Sequence, residues 1–172
     1  MVDEESVDVR SAAIILIKDG KALLQLRDDN PKITYPNHWG FAGGGALEEG
    51  ETYIQAAQRE LKEEVDYVSK NPTLFMTKTY QLPDGPMVKT KRYFEIYDGV
   101  QKLTCNEGQK IEFLSPNEIG KLKMYPGVGE AAKEAIKLST NSDTIIARGI
   151  EEGEREFATR KGKKLRSLKN LG

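Results

Sequence analysis

The sequence predicts an α+β domain with a mixed β-sheet, followed by a charged C-terminal extension. Three observations support this fold class. Apolar runs separated by turn residues indicate strands, amphipathic segments between them indicate helices, and their order does not follow a regular βαβ repeat. The length of 172 residues suits one domain with its own core. We therefore place one domain at residues 1–138 and the extension at residues 139–172.

Two hairpins are predicted from apolar runs joined by turn sequences. The first has Asp19-Gly20 at its turn, and Asp-Gly between apolar runs is the strongest short-range hairpin signal. The second has a longer turn at residues 82–86. Residues 28–38 are predicted to be a loop because they contain two prolines and two asparagines. The predicted strands cover residues 9–17, 22–27, 39–42, 73–81, 87–98 and 110–114.

Helices are predicted after two polar N-cap residues. Thr52 precedes an apolar repeat at helical spacing, formed by Ile54, Ala57, Leu61 and Val65. That repeat predicts a helix from about Thr52 to Val65. Ser115 followed by proline indicates another helix start. A third helix is expected at residues 129–138.

Composition and charge exclude several classes of protein. The 26 basic and 27 acidic residues nearly balance, so the net charge favours no particular partner. Cys105 is the only cysteine, which excludes an internal disulfide and fits a reducing compartment. Residues 1–9 are acidic and do not resemble a signal peptide. The longest apolar run, residues 12–17, is far shorter than the ~20 residues of a membrane helix. We expect a cytoplasmic protein without a membrane segment.

The C-terminal extension combines a charged segment and a basic tail. Residues 144–160 are predicted to form a charged helix, and residues 161–172 alternate basic residues with leucines. Three interpretations stay open: a solvated tail, docking onto a second copy of the chain or another protein, and contact with nucleic acid. The tail has no aromatic residue for stacking on bases, which makes nucleic acid the least favoured partner.

Three glutamates on the first predicted helix form the densest chemical signal. Glu60, Glu63 and Glu64 are spaced i, i+3 and i+4, so they lie on one helix face. Like charges at this spacing repel each other, and a hard divalent cation such as Mg²⁺ would offset the repulsion. By itself the triplet is more typical of a solvated acidic helix face.

The spacing around these glutamates changes that balance, because the segment Gly45–Tyr67 resembles the Nudix box. Seven box positions match at the required spacing: Gly45, Glu51, Arg59, Glu60, Leu61, Glu63 and Glu64. Chance agreement at seven fixed positions is very unlikely. Two positions depart, because Asp66 stands where the family has glycine and Tyr67 where it has an aliphatic residue. The family glycine ends the helix in a left-handed conformation, which Asp tolerates better than most residues.

The resemblance implies a Nudix-type α/β/α sandwich with a mixed central sheet. It also implies that Glu60, Glu63 and Glu64 bind Mg²⁺, for which Mn²⁺ can substitute, with the backbone carbonyl of Gly44 or Gly45 as an additional ligand. Arg59 and Glu51 correspond to the family's internal ion pair, which orients the helix against the glycine loop.

A further glutamate from a loop after the box often serves Nudix enzymes as metal ligand or general base. Glu107 is our candidate, and Glu112 is its competitor. The implied reaction is hydrolysis of a diphosphate linkage by metal-activated water, with Glu63, Glu64 and Glu107 as catalytic groups. The implied substrates are nucleoside diphosphates joined to another group, as in nucleoside triphosphates, nucleotide sugars or ADP-ribose.

Basic residues outside the box are candidates for substrate binding. Arg27, Lys89 and Lys91 are our candidates to reach the phosphates, although an exposed basic strand is the more common explanation for the two lysines. Strand alternation puts Arg92 on the opposite sheet face from these lysines. Other residues are weaker candidates: Tyr35, Trp39, Phe41 and Tyr80 for base stacking, His38 for a substrate contact, and Pro83 as a mark of ADP-ribose-cleaving Nudix enzymes.

Two other functions compete with the hydrolase. A catalytically silent Nudix-like module would bind a nucleotide or RNA, but such modules lose glutamates from the box, whereas this chain retains them. An isopentenyl diphosphate isomerase would need a cysteine near the glycine loop and histidine ligands. Cys105 lies far downstream and His38 is the single histidine, so we set the isomerase aside.

Overall fold

The computed structural model describes residues 7–82 and 85–141. Its strands are β1 (Val9–Lys18), β2 (Lys21–Leu26), β3 (Trp39–Phe41), β4 (Gly44–Ala46), β5 (Thr73–Gln81), β6 (Met87–Ile96) and β7 (Lys110–Leu114). Its helices are α1 (Tyr53–Val65), α2 (Pro116–Ile119) and α3 (residues 128–141). The α+β class and all the strands predicted within the described residues are confirmed.

The strands form one mixed sheet. Its order is β3-β2-β1-β6-β5, with β4 paired to β1 and β7 paired to β2. β1 runs parallel to β6 over nine residue pairs, and its pairings with β2 and β4 are antiparallel. The β1–β2 turn has Asp19 at φ 50° and Gly20 at φ 70°, as the Asp-Gly signal predicts.

Each face of the sheet packs against helices, which confirms the predicted sandwich. On one face, Ile15, Leu24 and Phe94 form a core with α3. On the other face, Ile14 and Leu16 pack against α1. Side chains alternate between faces along a strand, so neighbouring residues of β1 and β6 contribute to different cores. We call these the α3 face and the α1 face.

The N-terminus of α1 confirms one prediction and corrects another. Thr52 is the N-cap, and its side chain forms a capping box with Gln55. Ile54, expected on the apolar face, is 36% exposed, whereas Ala56 and Glu64 are buried. Ile54 lies in the first turn of α1, whereas the residues of α1 that are buried against the sheet begin at Ala56. The predicted apolar repeat was therefore wrong at its first position.

One strand was not predicted, and the end of another differs from the prediction. β4 was not predicted, because glycine is depleted in strands. Gly44 pairs with Ala13, and a Cβ on Gly44 would lie 2.7 Å from the Ala13 Cβ, so only glycine fits this close approach. β6 ends at Ile96 rather than Asp98, because the Asp98 carboxylate accepts hydrogen bonds from the Val100 and Gln101 amides and starts a turn.

The compact unit formed by the described residues ends at Ser139. Residues 142–172, which include most of the predicted extension and its basic tail, lie outside the described residues, as does Pro83. The boundary at residue 138 and the homodimer suggested by the tail therefore stay predictions. No helix within the described parts of the chain is long and apolar enough to cross a membrane.

Candidate active site

Glycine residues let α1 approach the sheet at the site. A Cβ on Gly43 would lie 2.9 Å from the Leu61 Cα, and one on Gly45 would lie 2.4 Å from a Glu60 carboxylate oxygen. Larger residues would therefore displace the helix or the Glu60 side chain. The glycine run thus lets the backbone beside Gly43 and Gly45 lie close to Leu61 and Glu60 of α1.

Arg59 connects α1 to the loop before it. Its guanidinium donates two hydrogen bonds to Glu51, from Nε at 2.8 Å and from Nη2 at 3.0 Å. Nη2 also donates to the Ala46 carbonyl at 3.1 Å, just after the glycine run. This bidentate pair lowers the pKa of the Glu51 carboxyl below its ordinary value. The structure thus contains the ion pair expected between Arg59 and Glu51.

The three box glutamates have different environments. The side chain of Glu63 is 60% exposed and that of Glu60 is 17% exposed, whereas Glu64 is only 7% exposed. Arg59 Nη1 donates to Glu60 at 2.7 Å and to Glu63 at 3.4 Å. Glu64 has no ion pair among the residues that the structure describes. A buried carboxylate without a cation partner is unfavourable, and this makes Glu64 the unusual member of the triplet.

The electrostatics of Glu64 identify its neighbours. The pKa of Glu64 is raised to about 8, chiefly by burial and then by the negative charges of Glu107 and Glu60, while a hydrogen bond with the Gly44 backbone opposes the shift. Glu60, Glu64 and Glu107 therefore lie near each other beside β4. Glu112 does not contribute to this shift, and its carboxylate instead pairs with Lys110 at 3.1 Å.

A loop at residues 104–107, which we call the Glu107 loop, lies against the end of α1. The Thr104 amide donates to the Val65 carbonyl at 3.1 Å, and the Asn106 amide donates to the Glu64 carbonyl at 2.9 Å. On its other side, Gln25 Nε2 donates to the Glu107 carbonyl at 2.7 Å. These bonds bring Glu107 next to Glu64, although 43 positions separate them in the sequence.

The oxygen atoms of the box glutamates, Glu107 and β4 suit a hard divalent cation. Glu60, Glu63, Glu64 and Glu107 offer carboxylate oxygens, and Gly44 offers a backbone carbonyl, which are the donors that Mg²⁺ prefers. Within the described ranges, however, no three Asp, Glu, His or Cys side chains converge closely enough to hold a metal as they stand. Arg59 pairs with Glu60 and Glu63, so these carboxylates would have to turn toward a cation.

A cavity of about 260 Å³ opens on the α3 face beside the same glycine strand. Gly44 and Gly45 line one side of it, so β4 separates the cavity from the acidic groups of α1. Its other lining residues include Ser11, Arg27, Phe41, Tyr80, Thr90, Arg92, Tyr125 and Val128. The lining contains two arginines and no acidic side chain.

Arg92 is the most unusual residue of this cavity. It is 7% exposed, its guanidinium lies 5.0 Å from the centre of the Phe41 ring, and Nη1 donates to the Gly127 carbonyl at 3.1 Å. Nε has no hydrogen-bond partner, and no carboxylate among the described residues forms an ion pair with this side chain. Burial lowers the pKa of the guanidinium. A buried, partly unsatisfied cation is typical of a binding site for an anionic or acceptor-rich group.

The predicted phosphate-binding residues lie in two different places. Arg27 lines the cavity, where its guanidinium stacks 5.4 Å from the Tyr125 ring centre and Nε donates to the Thr34 carbonyl. Lys91 lies on the α1 face with its Nζ 4.6 Å from the Tyr53 ring centre. Lys89 shares that face. Strand alternation is as predicted, but the cavity lies on the face with Thr90 and Arg92.

The aromatic candidates also differ in position. Phe41 and Tyr80 line the cavity, Trp39 is buried in the core, and Tyr35 contacts His38 edge-on. His38 Nδ1 lies 2.8 Å from the Pro36 carbonyl oxygen, which indicates a structural role in the loop. Sequence reasoning did not select Tyr125. Its position is set by the Trp39 backbone, which bonds to residues 123 and 125, and no local motif marks this pairing.

Comparison with known families agrees with this geometry. A model of the NUDIX domain matches residues 8–135, which is well over half of the chain. The match includes β1, the whole box, the Glu107 loop and most of α3.

Two kinds of relative are similar to this chain. It is 38% identical over 56 residues to the "Uncharacterized Nudix hydrolase PA4841" of Pseudomonas aeruginosa, an alignment that spans 33% of this chain and 33% of that protein. The match thus covers about a third of the relative's length.

Solved structures resemble the described fold over a larger share. The NUDIX domain of Shewanella oneidensis NrtR, complexed with ADP ribose, has a TM-score of 0.62 at 16% identity and covers 78% of this chain and 92% of its own. A C. elegans Ap4A hydrolase has a TM-score of 0.55 at 24% identity and covers 77% of this chain and 98% of its own. At these identities the likeness establishes the fold.

Proposed function

The chain belongs to the Nudix hydrolase family, and we propose that it is a Mg²⁺-dependent pyrophosphohydrolase acting on a nucleoside diphosphate joined to another group. The observation that supports this most is Glu64, a buried carboxyl whose pKa is raised to about 8 beside Glu60 and Glu107. Such a cluster is unfavourable without a cation and favourable with one.

In this proposal the cation is held by Glu60, Glu63, Glu64 and the Gly44 carbonyl. When bound, Mg²⁺ neutralises negative charge on the diphosphate and makes water a better nucleophile. Mn²⁺ offers the same coordination chemistry with oxygen ligands. Arg59 fixes α1 relative to the end of β4, because its guanidinium donates hydrogen bonds both to Glu51 and to the Ala46 carbonyl.

Glu107 is our choice for the general base. It is exposed to solvent, so water can reach it, and it lies close enough to Glu64 to raise that pKa. Glu107 accepts a proton from the attacking water, and the hydroxyl oxygen bonds to phosphorus as the bond to the bridging oxygen breaks. The products are two phosphorylated fragments.

The cavity on the α3 face receives the rest of the substrate. Arg92 and Arg27 supply donors for phosphate or for acceptor atoms of a base, and Phe41 and Tyr80 supply aromatic surface. The substrate class is therefore a nucleotide. The C. elegans relative is named an Ap4A hydrolase and the Shewanella relative was solved with ADP ribose, so dinucleoside polyphosphates and ADP-ribose are sensible first compounds. A cytoplasmic location, inferred from cysteine usage, would supply such substrates.

Hydrolysis of a panel of diphosphate compounds, measured by chromatography of the phosphorylated products, tests this function. The panel contains nucleoside triphosphates, nucleotide sugars, ADP-ribose and dinucleoside polyphosphates, each with Mg²⁺ and with excess chelator. The proteins are the wild type, Glu64→Gln, Glu107→Gln and the matched control Glu112→Gln. We expect Mg²⁺-dependent turnover by the wild type and a decrease in kcat of about a hundredfold or more for the first two variants.

The control should keep its activity, since Glu112 pairs with Lys110 at an exposed position. Equal turnover by the wild type and Glu64→Gln would contradict the proposed metal centre. If no compound is hydrolysed while nucleotide binds equally with and without Glu64, the protein is a binding module instead.

A further inference from the structure

Asp66 occupies the helix-exit position at which the Nudix family has glycine. It is the C-cap of α1 with φ 61° and ψ 22°, a left-handed conformation, and its amide donates to the Lys62 carbonyl at 3.0 Å. Glycine adopts this conformation without a steric clash because it has no Cβ, whereas the Cβ of Asp makes the conformation less favourable. The backbone at this position therefore needs no aspartate.

The side chain of Asp66 accepts hydrogen bonds that glycine at this position could not accept. One carboxylate oxygen accepts hydrogen bonds from Thr104 Oγ1 at 2.5 Å and from Asn106 Nδ2 at 3.2 Å. The other accepts from Lys62 Nζ at 3.3 Å. Two of these three donors belong to the Glu107 loop, 38 and 40 positions along the chain from Asp66. The carboxylate thus joins the end of α1 to this loop.

The same loop is bound to the last turn of α1 through its backbone. The amides of Thr104 and Asn106 donate to the Val65 and Glu64 carbonyls, and Asn106 Nδ2 donates to the Glu63 carbonyl at 2.9 Å. Asn106 Nδ2 is therefore shared between Asp66 and the backbone of a box glutamate. Glu107 is the next residue, so the position of its backbone follows from these contacts.

We propose that Asp66 is a positioning residue whose carboxylate fixes the Glu107 loop on the end of α1 and so places Glu107 beside Glu64. This inference rests on the proposed function, in which Glu107 acts on the attacking water. Glycine at this position would still end the helix, but it would provide no acceptor for Thr104 or Asn106. The Asp66 carboxylate thus holds the Glu107 loop in addition to the backbone hydrogen bonds between that loop and α1.

A purely local role for Asp66 predicts a different outcome. If the aspartate only ends α1 and pairs with Lys62, glycine should replace it with no loss, because glycine suits the left-handed conformation better. The Lys62 contact is between two exposed side chains, 53% and 44% exposed, and such pairs contribute little. Asp66→Gly therefore separates the two roles while it keeps the helix exit.

The experiment compares Asp66→Gly with three other variants. Asp66→Asn keeps an acceptor oxygen and tolerates the left-handed conformation. Thr104→Val removes the hydroxyl donor at nearly constant volume. Asp19→Gly is the matched control, because Asp19 is also left-handed, at φ 50°, in the exposed β1–β2 turn. The readouts are kcat and KM on the best compound of the panel, and amide hydrogen exchange of the metal-free protein.

We expect Asp66→Gly to lower kcat about tenfold or more with a smaller change in KM, since a base displaced by about 1 Å can lose that much or more. Exchange of the Thr104 and Asn106 amides should accelerate at least about tenfold, as local opening becomes easier. Thr104→Val should show part of both effects, Asp66→Asn should restore most of the activity, and Asp19→Gly should match the wild type. In a Glu107→Gln background, Asp66→Gly should have little further effect on kcat.

Two results would overturn the inference. One is wild-type kcat together with wild-type exchange of the loop amides in Asp66→Gly. The other is a loss of kcat that is just as large when Glu107 is already glutamine. If the wild type hydrolyses no compound, the proposed function fails, and the exchange rates alone decide whether Asp66 fixes the loop.

Discussion

The two sides of the glycine strand β4 differ in charge. On the α1 side, Glu60, Glu64 and Glu107 crowd together, and Glu64 is buried with a raised pKa. On the α3 side, the cavity has Arg27 and Arg92 in its lining and no acidic residue. A diphosphate placed across β4 would meet carboxylates on one side, which repel it without a cation, and arginines on the other. In our proposal, catalysis takes place on the α1 side of β4 and the rest of the substrate binds on the α3 side.

The comparison also shows two ways of stabilising a buried charge. Glu64 can become neutral by keeping its proton, because its pKa is about 8 in the metal-free protein. Arg92 keeps its positive charge even with a lowered pKa, because a guanidinium stays protonated at neutral pH. On the α1 side, which we call the acidic side, a cation can bind when Glu64 releases its proton. On the α3 side, which we call the basic side, Arg92 can bind an anionic or acceptor-rich ligand.

The largest expected effect is on metal binding as a function of pH. A cation binds the deprotonated carboxylate, so below a pKa of about 8 it must displace the Glu64 proton. We expect the Mg²⁺ affinity to fall about tenfold per pH unit between pH 8 and pH 6, by up to about a hundredfold. Calorimetric titration in buffers of different ionisation enthalpy measures the affinity and the released proton. A pH-independent affinity would contradict the assignment of the buried proton to Glu64.

The same shift has a consequence for stability without metal. The folded-state pKa is raised, so the stabilising contribution of neutral Glu64 is present below about pH 4.5 and is lost as pH rises through about 8. The difference sets an upper limit of about 5 kcal/mol on this loss. Denaturant unfolding with chelator should show the decrease in the wild type, and Glu64→Gln should show a much flatter profile.

A smaller effect, on KM, tests the basic side. Arg92→Met removes the cation while it keeps the apolar contact with Phe41, and we expect KM to rise about tenfold to thirtyfold, the loss of a charged hydrogen bond. Stability should not fall, since an unpaired buried cation is unfavourable. Lys91→Met is the matched variant from the α1 face of the same strand. A larger rise in KM for Lys91→Met than for Arg92→Met would place the substrate on the other face.

The smallest effect concerns the link between helix and loop. Glu51→Gln removes the charge that orients Arg59, and we expect the Mg²⁺ affinity to decrease a few-fold to about tenfold, as for other residues that orient metal ligands. Because Glu51 bonds to Arg59 and to the Glu48 amide and does not line the cavity, KM should change little at saturating metal. A rise in KM without a change in metal affinity would indicate that Arg59 serves the substrate rather than α1.

The acidic side was largely predictable from the sequence because its residues are close together along the chain. The spacing from Gly45 to Glu64 identifies the box, and helix geometry then places the glutamates. Even the left-handed exit at Asp66 follows from the family pattern and the tolerance of Asp for positive φ. The order of burial among the glutamates did not follow, because it depends on how α1 is rotated against β4.

The basic side was less predictable because its residues come from distant segments. Alternation along β6 separates Lys91 from Arg92, but helix packing decides which face has the cavity. Tyr125 enters the cavity only because residues 123–125 pair with Trp39, a contact across more than 80 positions without a local signal. The strand β4 was missed because its glycines, which the close approach to β1 requires, are rare in strands.

The most direct test of the central claim is a crystal structure grown with Mn²⁺, with anomalous diffraction used to locate the metal. We predict an anomalous peak between Glu60, Glu64 and the Gly44 carbonyl, with oxygen ligands, and its loss in Glu64→Gln crystals. A peak on the cavity side of β4, or no peak beside Glu64 at a Mn²⁺ concentration that supports full turnover, would contradict the account.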